Sequence, residues 1–268
     1  MVPASQVRIL APQMIFSGAD IKDAAAIILA AGQGKRMNSQ LPKVLHQLKD
    51  KPLIRHVIDS LTEAGVNTLV AVVGYEGERV LEVLPAEVKH VWQREQLGTG
   101  HAVMQAEKAL SEFDGRVVVA CGDVPLISPR SFKKLIGLCE GKTKATLLTM
   151  RPENPEGYGR IVKDKNNFFQ RIVEEKDASP QERLIGEVNT GTYVFDKKLL
   201  FEGLKNLNTN NAQREYYLTD VLEHILNFGF DVGVMLLDDP IEGSGINKQD
   251  ELAQLERYLD NLNKMDNI

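Results

Sequence analysis

Ala26-Ile27-Ile28-Leu29-Ala30-Ala31-Gly32-Gln33-Gly34-Lys35-Arg36-Met37, followed by Leu41-Pro42-Lys43, is the stretch on which the reading of the chain turns. It opens as a short apolar run, too short for most helices and of the right length for a buried strand. It then breaks into a loop with two glycines, Gly32 and Gly34, and two basic residues, Lys35 and Arg36. Glycines let a backbone approach a ligand closely, and the amides of such a loop can face its oxygens. Lys35, Arg36 and Lys43 add positive charge, arginine as a planar fork and lysine as a point charge. A strand feeding such a loop suits a polyphosphate. Two familiar phosphate fingerprints are nevertheless missing. Met37 stands where a dinucleotide fingerprint needs its third glycine, and no Gly-Lys-Ser/Thr follows at P-loop spacing. On the loop alone, a plain strand-to-helix turn with solvated basic residues fits equally well.

The 268 residues accommodate one large α/β domain or two modest ones. With 43% hydrophobic and 26% charged residues, the composition is that of an ordinary soluble globular chain. A formal net charge of −5 argues against a general nucleic-acid binder, while leaving room for a local basic pocket. The two cysteines, Cys121 and Cys139, suggest neither a disulfide framework nor a zinc site, and a reducing cytoplasm fits. The longest purely apolar run, residues 24–31, is far too short to span a bilayer. Residues 1–20 carry a lone Arg8, and Pro12 and Gln13 interrupt their apolar part, unlike a signal peptide. They read as a loosely attached extension that activity does not need.

Further along, apolar residues at 54, 57, 58 and 61 have helical spacing, with Pro52 suiting the first turn and Gly65 the stop. Residues 68–73 read as a second buried strand. Strand, helix, strand is the parallel-sheet unit. Residues 75–84 read as a helix and 88–92 as a short strand. Gly98-Thr99-Gly100 then precedes a helical stretch over 102–110, which is either a ligand-binding helix start or an ordinary glycine-rich turn. Residues 116–121 form a strand that runs into Gly122-Asp123-Val124-Pro125-Leu126. An acidic residue just past the carboxyl end of a parallel strand lies where open α/β sheets bind ligands, although surface turns also carry aspartate. The alternation on either side of Asn166-Asn167 suggests a hairpin. Strands are expected over 145–150, 187–195 and 232–237, and helices over 197–204 and 217–228. Over 250–264, Leu252, Leu255, Leu259 and Leu262 form a narrow apolar stripe, as on a helix packed against its own domain.

Leu29-Ala30-Ala31-Gly32-x-Gly34-x-Arg36-Met37 with Pro42-Lys43 resembles the signature of sugar-1-phosphate nucleotidylyltransferases. Within them the chain is most similar to the N-acetylglucosamine-1-phosphate uridylyltransferase domain of bacterial bifunctional enzymes, over about residues 25–255. The resemblance implies an α/β fold: a Rossmann-like mixed, mainly parallel sheet of the nucleotidyltransferase (GT-A-like) type with a small sugar-binding β subregion. It divides the chain into an extension over 1–23, a transferase domain over 24–250 and an amphipathic helix over 251–268. It implies that Leu29, Ala30, Ala31, Gly32 and Gly34 embrace a nucleoside triphosphate, and that Arg36 and Lys43 grip phosphates. Arg36, Lys43 and Asp123 are then the catalytic residues. Gln93, Gly98 and Thr99 contact the uracil, and Gly122 lines the pocket beside Asp123. Gly159, Glu174 and Asn189 hold the N-acetylated sugar, and Asp123 and Asn247 hold Mg²⁺.

The implied substrates are UTP and N-acetylglucosamine 1-phosphate, handled in the cytoplasm by a monomer or weak oligomer, with neither nucleic acid nor membrane as partner. The sequence departs from the family at two places. Cys121 stands where the family usually has tyrosine, and Lys248 where a second asparagine usually follows. The bifunctional enzymes continue into hexapeptide repeats. None occurs here, so their acetyltransferase half is expected to be absent. Two other readings are a relative that uses another sugar 1-phosphate or NTP, and a non-catalytic nucleotide-sugar sensor. Retention of Arg36, Lys43, Asp123 and Asn247 together argues against the sensor.

Overall fold

The structure, a computed structural model, describes residues 23–34, 37 and 39–265. Arg36, Lys35 and all of the expected extension except Asp23 lie outside the described residues. The first strand, β1 (Ala24–Ala30), is buried almost throughout. A two-stranded hairpin follows, β2 (Gln47–Leu48) and β3 (Lys51–Pro52). Its turn residues Lys49 and Asp50 both have positive φ, 51° and 59°, as a two-residue turn matched to strand twist requires. Next come α1 (Leu53–Glu63), β4 (Thr68–Val73), α2 (Gly77–Leu81), β5 (Lys89–Trp92), α3 (Thr99–Met104) and β6 (Arg116–Cys121). The second half contains α4 (Pro129–Leu138), β7 (Thr143–Met150), β8 (Arg160–Lys163), β9 (Phe169–Val173), β10 (Val188–Asp196), α5 (Lys197–Leu204), α6 (Asp220–Asn227), β11 (Asp231–Leu236) and α7 (Gln249–Met265).

Nine strands form one mixed, mainly parallel sheet in the order β11-β7-β10-β6-β1-β4-β5, with β8 pairing β10 and β9 pairing β8. β1 lies parallel between β4 and β6, and β5 extends the same direction. β10 alone runs against its neighbours β6 and β7 on this path. Alternation along β1 serves both faces. Ala24, Ala26, Ile28 and Ala30 pack with Ile54, Val57, Ile58 and Leu61 of α1 and with Phe132 and Leu135 of α4. Ala25 and Ile27 pack with Val103 of α3, Leu200 and Phe201 of α5 and Val221 and Ile225 of α6. Small and branched residues on both faces of a central strand are what a doubly covered parallel sheet requires. Leu252, Leu255 and Leu259 of α7 pack beside the sheet, on Met37, Leu48, Leu53 and Ile246. Among the described residues no helix is long and apolar enough to cross a membrane.

Three helices are shorter than their sequence patterns. The helix expected over 75–84 is α2, held to Gly77–Leu81. Glu76 takes a left-handed φ of 48° just before it. A Cβ on Gly77 would lie 2.5 Å from the Trp92 ring, so this start is set by a tertiary contact. The stretch expected over 102–110 divides into α3, which begins earlier at Thr99, and a separate turn at Lys108–Leu110. The helix expected from 217 starts at Asp220, because the Leu218 amide donates to Thr99 Oγ1 at 3.2 Å instead of entering the helix ladder. α4 has no counterpart in the sequence reading. Its start is chemically marked, since Ser128 Oγ accepts from the Ser131 amide and Pro129 takes the first turn.

Leu61 is fully buried between α1 and the sheet, whereas Leu184 is 84% exposed. Leu61→Ala is expected to lose about 2–5 kcal/mol, read as a lower urea midpoint with unchanged slope. Leu184→Ala is expected to leave the midpoint where it is.

Candidate active site

β1, β4, β5 and β6 run parallel, so their carboxyl ends share one edge of the sheet. β1 has β4 on one side and β6 on the other, and open α/β sheets bind ligands outside the strand ends where the winding changes direction. Short hydrogen bonds stitch that edge. The Gly122 amide donates to Leu29 O at 2.9 Å, the Tyr75 amide to Ala31 O at 3.2 Å and the Gln93 amide to Val73 O at 2.8 Å. Because β10 is reversed, its first residues reach the same edge.

One corner is cationic. Lys43 opens a single turn of 3₁₀ helix, Lys43–Leu45, behind Pro42. Its Nζ donates to Asn247 Oδ1 at 2.7 Å and forms an ion pair with Asp123 Oδ2. Both charged side chains are largely shielded, at 14% and 21% exposure. The Asn247 Nδ2 donates to Gly245 O at 3.3 Å, which leaves Oδ1 to face Lys43. The Ile246 amide donates to Asp123 O at 3.0 Å and ties the two oxygen-bearing segments together. Gly34 has a φ of 62°, and a Cβ there would lie 2.7 Å from Lys43 Cβ, so the loop passes Lys43 only as glycine. Gly32 faces open space. One carboxylate and one amide oxygen thus converge on a single cationic centre, here the ammonium. Among the described residues no three His, Cys, Asp or Glu side chains gather around a metal position. A hard ion held here would take most of its ligands from water and phosphate, the usual state of Mg²⁺.

A second group follows β5. Gln93 is buried, and its Nε2 donates to Gly98 O at 3.1 Å and lies 3.1 Å from His101 Nδ1. Gly98 has a φ of 106°, and a Cβ there would lie 2.7 Å from Tyr216 O. The Gly100 amide donates to Tyr216 O and the Tyr216 amide to Leu97 O, both at 2.8 Å. Thr99 uses its hydroxyl to hold the Leu218 amide.

A third group surrounds the start of β10. The Asn189 amide donates to Gly159 O at 2.9 Å. The Asn189 side chain donates to the Tyr193 hydroxyl at 2.6 Å and accepts from the Gly191 amide at 3.0 Å. A Cβ on Gly159 would lie 2.8 Å from Ile172 and 3.4 Å from Glu174 Oε2. Glu174 Oε1 accepts from the Thr219 hydroxyl at 3.3 Å. Burial pushes the Glu174 carboxyl above the usual range. The Thr219 hydrogen bond opposes that rise, and Asp220, Asp177 and Glu215 reinforce it. Cys121 donates to Gly191 O at 3.5 Å and links this group to the strand that ends at Asp123. Burial, then the Asp123 charge, push its thiol up to about 12, so it stays neutral.

Of the residues singled out in the sequence, Lys43, Asp123 and Asn247 touch directly, and Gly34 lies against Lys43. Leu29 and Gly122 share a backbone hydrogen bond, and Ala30 ends β1 beside them with Ala31 just past it. Gln93, Gly98 and Thr99 form the second group, and Gly159, Glu174 and Asn189 the third. Arg36 lies outside the described residues. Sequence reasoning missed Tyr193, Tyr216 and Thr219, whose roles depend on partners remote in the chain and leave no periodic signal. A cavity of about 470 Å³, lined by Asp23, Arg116, Cys139, Lys144 and Asp196, lies at the opposite edge. That is the amino end of β6 and β7, away from where such sheets bind ligands.

Residues 26–217 match the family of MobA-like NTP transferase domains. The chain belongs to that family. Three curated relatives are each named Bifunctional protein GlmU. The one from Pelotomaculum thermopropionicum is 46% identical over 238 residues, covering 88% of this chain and 52% of the relative. Those from Oceanobacillus iheyensis and Streptococcus uberis are 47% and 49% identical, each covering 87% of this chain and 52% and 51% of the relative. The chain spans about half the length of the curated relatives it matches. This NTP transferase domain thus has the mixed, mainly parallel sheet that its resemblance to nucleotidylyltransferases implies, and its relatives agree with that resemblance.

Asp220 stands beside Thr219 at the start of α6, and burial, then Glu223, raise its carboxyl from 3.8 to about 6. Between those values the folded chain holds a proton that the unfolded chain has released. Stability is therefore lost as pH rises through that window. Asp220→Asn, which carries no charge, is expected to melt higher than the parent at pH 7. The gap closes as the pH falls to 3.8. Melting curves of the two chains across this range check the sign, and a gap independent of pH would contradict it.

Proposed function

We propose that this NTP transferase domain is a magnesium-dependent uridylyltransferase. It joins UTP to N-acetylglucosamine 1-phosphate and gives UDP-N-acetylglucosamine and pyrophosphate. The observation that carries the reading is the convergence of Asp123 Oδ2 and Asn247 Oδ1 on one cationic centre past the carboxyl end of β6. The GlmU relatives support the choice of donor and sugar. On this reading residues 24–250 are the transferase unit and 251–268 its closing helix, in a cytoplasmic monomer or weak oligomer.

Asp123 and Asn247 would hold Mg²⁺, which when bound supplies positive charge to the triphosphate. The sugar phosphate is already an anion, so the chain needs no nucleophile of its own. Its oxygen attacks the α-phosphorus in line and pyrophosphate leaves. The work of the protein is to hold two mutually repelling anions in that geometry and to stabilise the charge of the transition state. Lys43 and Arg36 serve the phosphates, and the loop containing Leu29, Ala30, Ala31, Gly32 and Gly34 encloses them, with Gly122 lining the pocket. Gln93, Gly98 and Thr99 orient the uracil. Gly159, Glu174 and Asn189 present backbone, carboxyl and amide groups to the sugar.

Pyrophosphate release, measured over a panel of four NTPs and several sugar 1-phosphates, tests the proposal. A pocket that pairs the acetamido N–H and carbonyl leaves its own groups unpaired when glucose enters, at about 1–3 kcal/mol each. Two such losses lower kcat/KM by about one to four powers of ten. UTP with N-acetylglucosamine 1-phosphate should therefore be strongly preferred, and Asp123→Ala should abolish turnover while the chain stays folded. Comparable kcat/KM for both sugars would remove the sugar assignment, and an active Asp123→Ala would remove the metal assignment.

A further inference from the structure

Asn247 has to present Oδ1, not Nδ2, to the cationic corner, and its backbone sits in a link between a short turn and α7. The side chain alone does not fix that geometry. Its amide is oriented by Gly245 O, but Gly245 precedes it by two residues and moves with the same link. On its amino-terminal side the link is tied to Asp123 by the Ile246 amide. On its carboxyl-terminal side the tie comes from Glu251, in the first turn of α7. One oxygen of that carboxylate, Oε2, accepts from the Asn247 amide and, at 3.0 Å, from the Lys248 amide. A glutamate that reaches back from the third helical position to the amides before the helix is half of a capping box. Here it grips the residue that faces Lys43 and Asp123.

The helix that carries Glu251 is itself anchored on the other side of the same corner. Leu255 is buried, and with Leu252 and Leu259 it packs on Met37, Leu48, Leu53 and Ile246. Met37 closes the glycine loop, its amide donating to Gly34 O at 2.9 Å. Leu48 lies a few residues beyond Lys43. Glu251 therefore connects Asn247 to an element that also rests on the glycine loop and on the Lys43 segment.

We infer that Glu251 is a positioning residue for the metal pair: its carboxylate fixes the Asn247 backbone so that Oδ1 points at the centre it shares with Asp123. The inference rests on the reading that Asp123 and Asn247 hold the ion. In the sequence the leucine stripe of α7 reads as packing against the domain or as a stub of a longer connecting helix, and it does not single out Glu251.

The test compares Glu251→Ala, Glu251→Gln and Asn247→Ala in the full chain. Three quantities are read: Mn²⁺ affinity of the substrate-free chain by electron paramagnetic resonance, the Mg²⁺ concentration that half-activates pyrophosphate release, and KM for the sugar phosphate. Glu251→Ala is expected to weaken Mn²⁺ binding and raise the Mg²⁺ requirement by about tenfold, with KM for the sugar phosphate unchanged. Glu251→Gln keeps an acceptor oxygen and is expected to stay close to the parent. Equal losses in both Glu251 variants would assign the effect to negative charge near the ion and overturn the inference. So would a lower melting temperature in Glu251→Ala with an unchanged metal requirement. If Glu251→Ala does not fold, Glu251→Asp takes its place; it keeps the charge but shortens the reach, and the same rise is expected. An Asn247→Ala chain with parental Mn²⁺ affinity would instead remove the metal reading itself, and the inference with it.

Discussion

Everything in this fold follows from one strand that must be buried on both faces. β1 offers neither side of the sheet a polar side chain, so helices have to cover both. α1 and α4 cover one face and α3, α5 and α6 the other, which uses up the faces as binding surface. What remains open is the edge where parallel strands end. There the parallel strands β1, β4, β5 and β6 pass into loops. Packing alone thus leaves that edge for the proposed chemistry, before any particular residue is considered.

At that edge Lys43 meets the pair Asp123 and Asn247. A largely shielded carboxylate is costly unless a cation meets it, and a shielded ammonium is costly unless oxygens surround it. Each group makes the burial of the other tolerable. The same arithmetic makes the place suitable for a different cation, since the oxygens are already gathered and the geometry is held by backbone bonds from Gly122 to Leu29 and from Ile246 to Asp123. A site formed this way loses little freedom when it binds, which is the structural content of preorganisation.

Much of this was legible in the sequence, and the limits have physical causes. β1, β4, β6 and α1 stand out because continuous apolar runs and 3.6-residue spacing are local patterns. The start of α6 was placed three residues early because Tyr217 and Leu218 obey tertiary partners, Asp177 and Thr99, in place of the helix ladder. α4 was overlooked although Ser128-Pro129 marks its beginning. In the site, strand ends mark the glycine loop and Asp123 as candidates, and only the family resemblance favours them over a plain turn and a surface aspartate. The meeting of Lys43 with Asn247, and of Thr219 with Glu174, joins residues far apart in sequence, and no periodicity announces such pairs.

The edge is also electrically divided, and this has a consequence for the proposed reaction. At one end Lys43 offers a cation, held by Asp123 and Asn247. At the other end Glu174 is surrounded by Asp177, Glu215 and Asp220, close enough that each raises its proton affinity. An acidic flank repels phosphate and accepts hydrogen bonds from hydroxyls, while an ammonium attracts phosphate. Under the proposed function, a sugar phosphate would meet Lys43 with its phosphate and the Glu174 group with its hydroxyls. An excess of acidic residues over the whole chain, −5 in formal charge, is thus compatible with binding two anions, because what matters is where along one edge the charges lie.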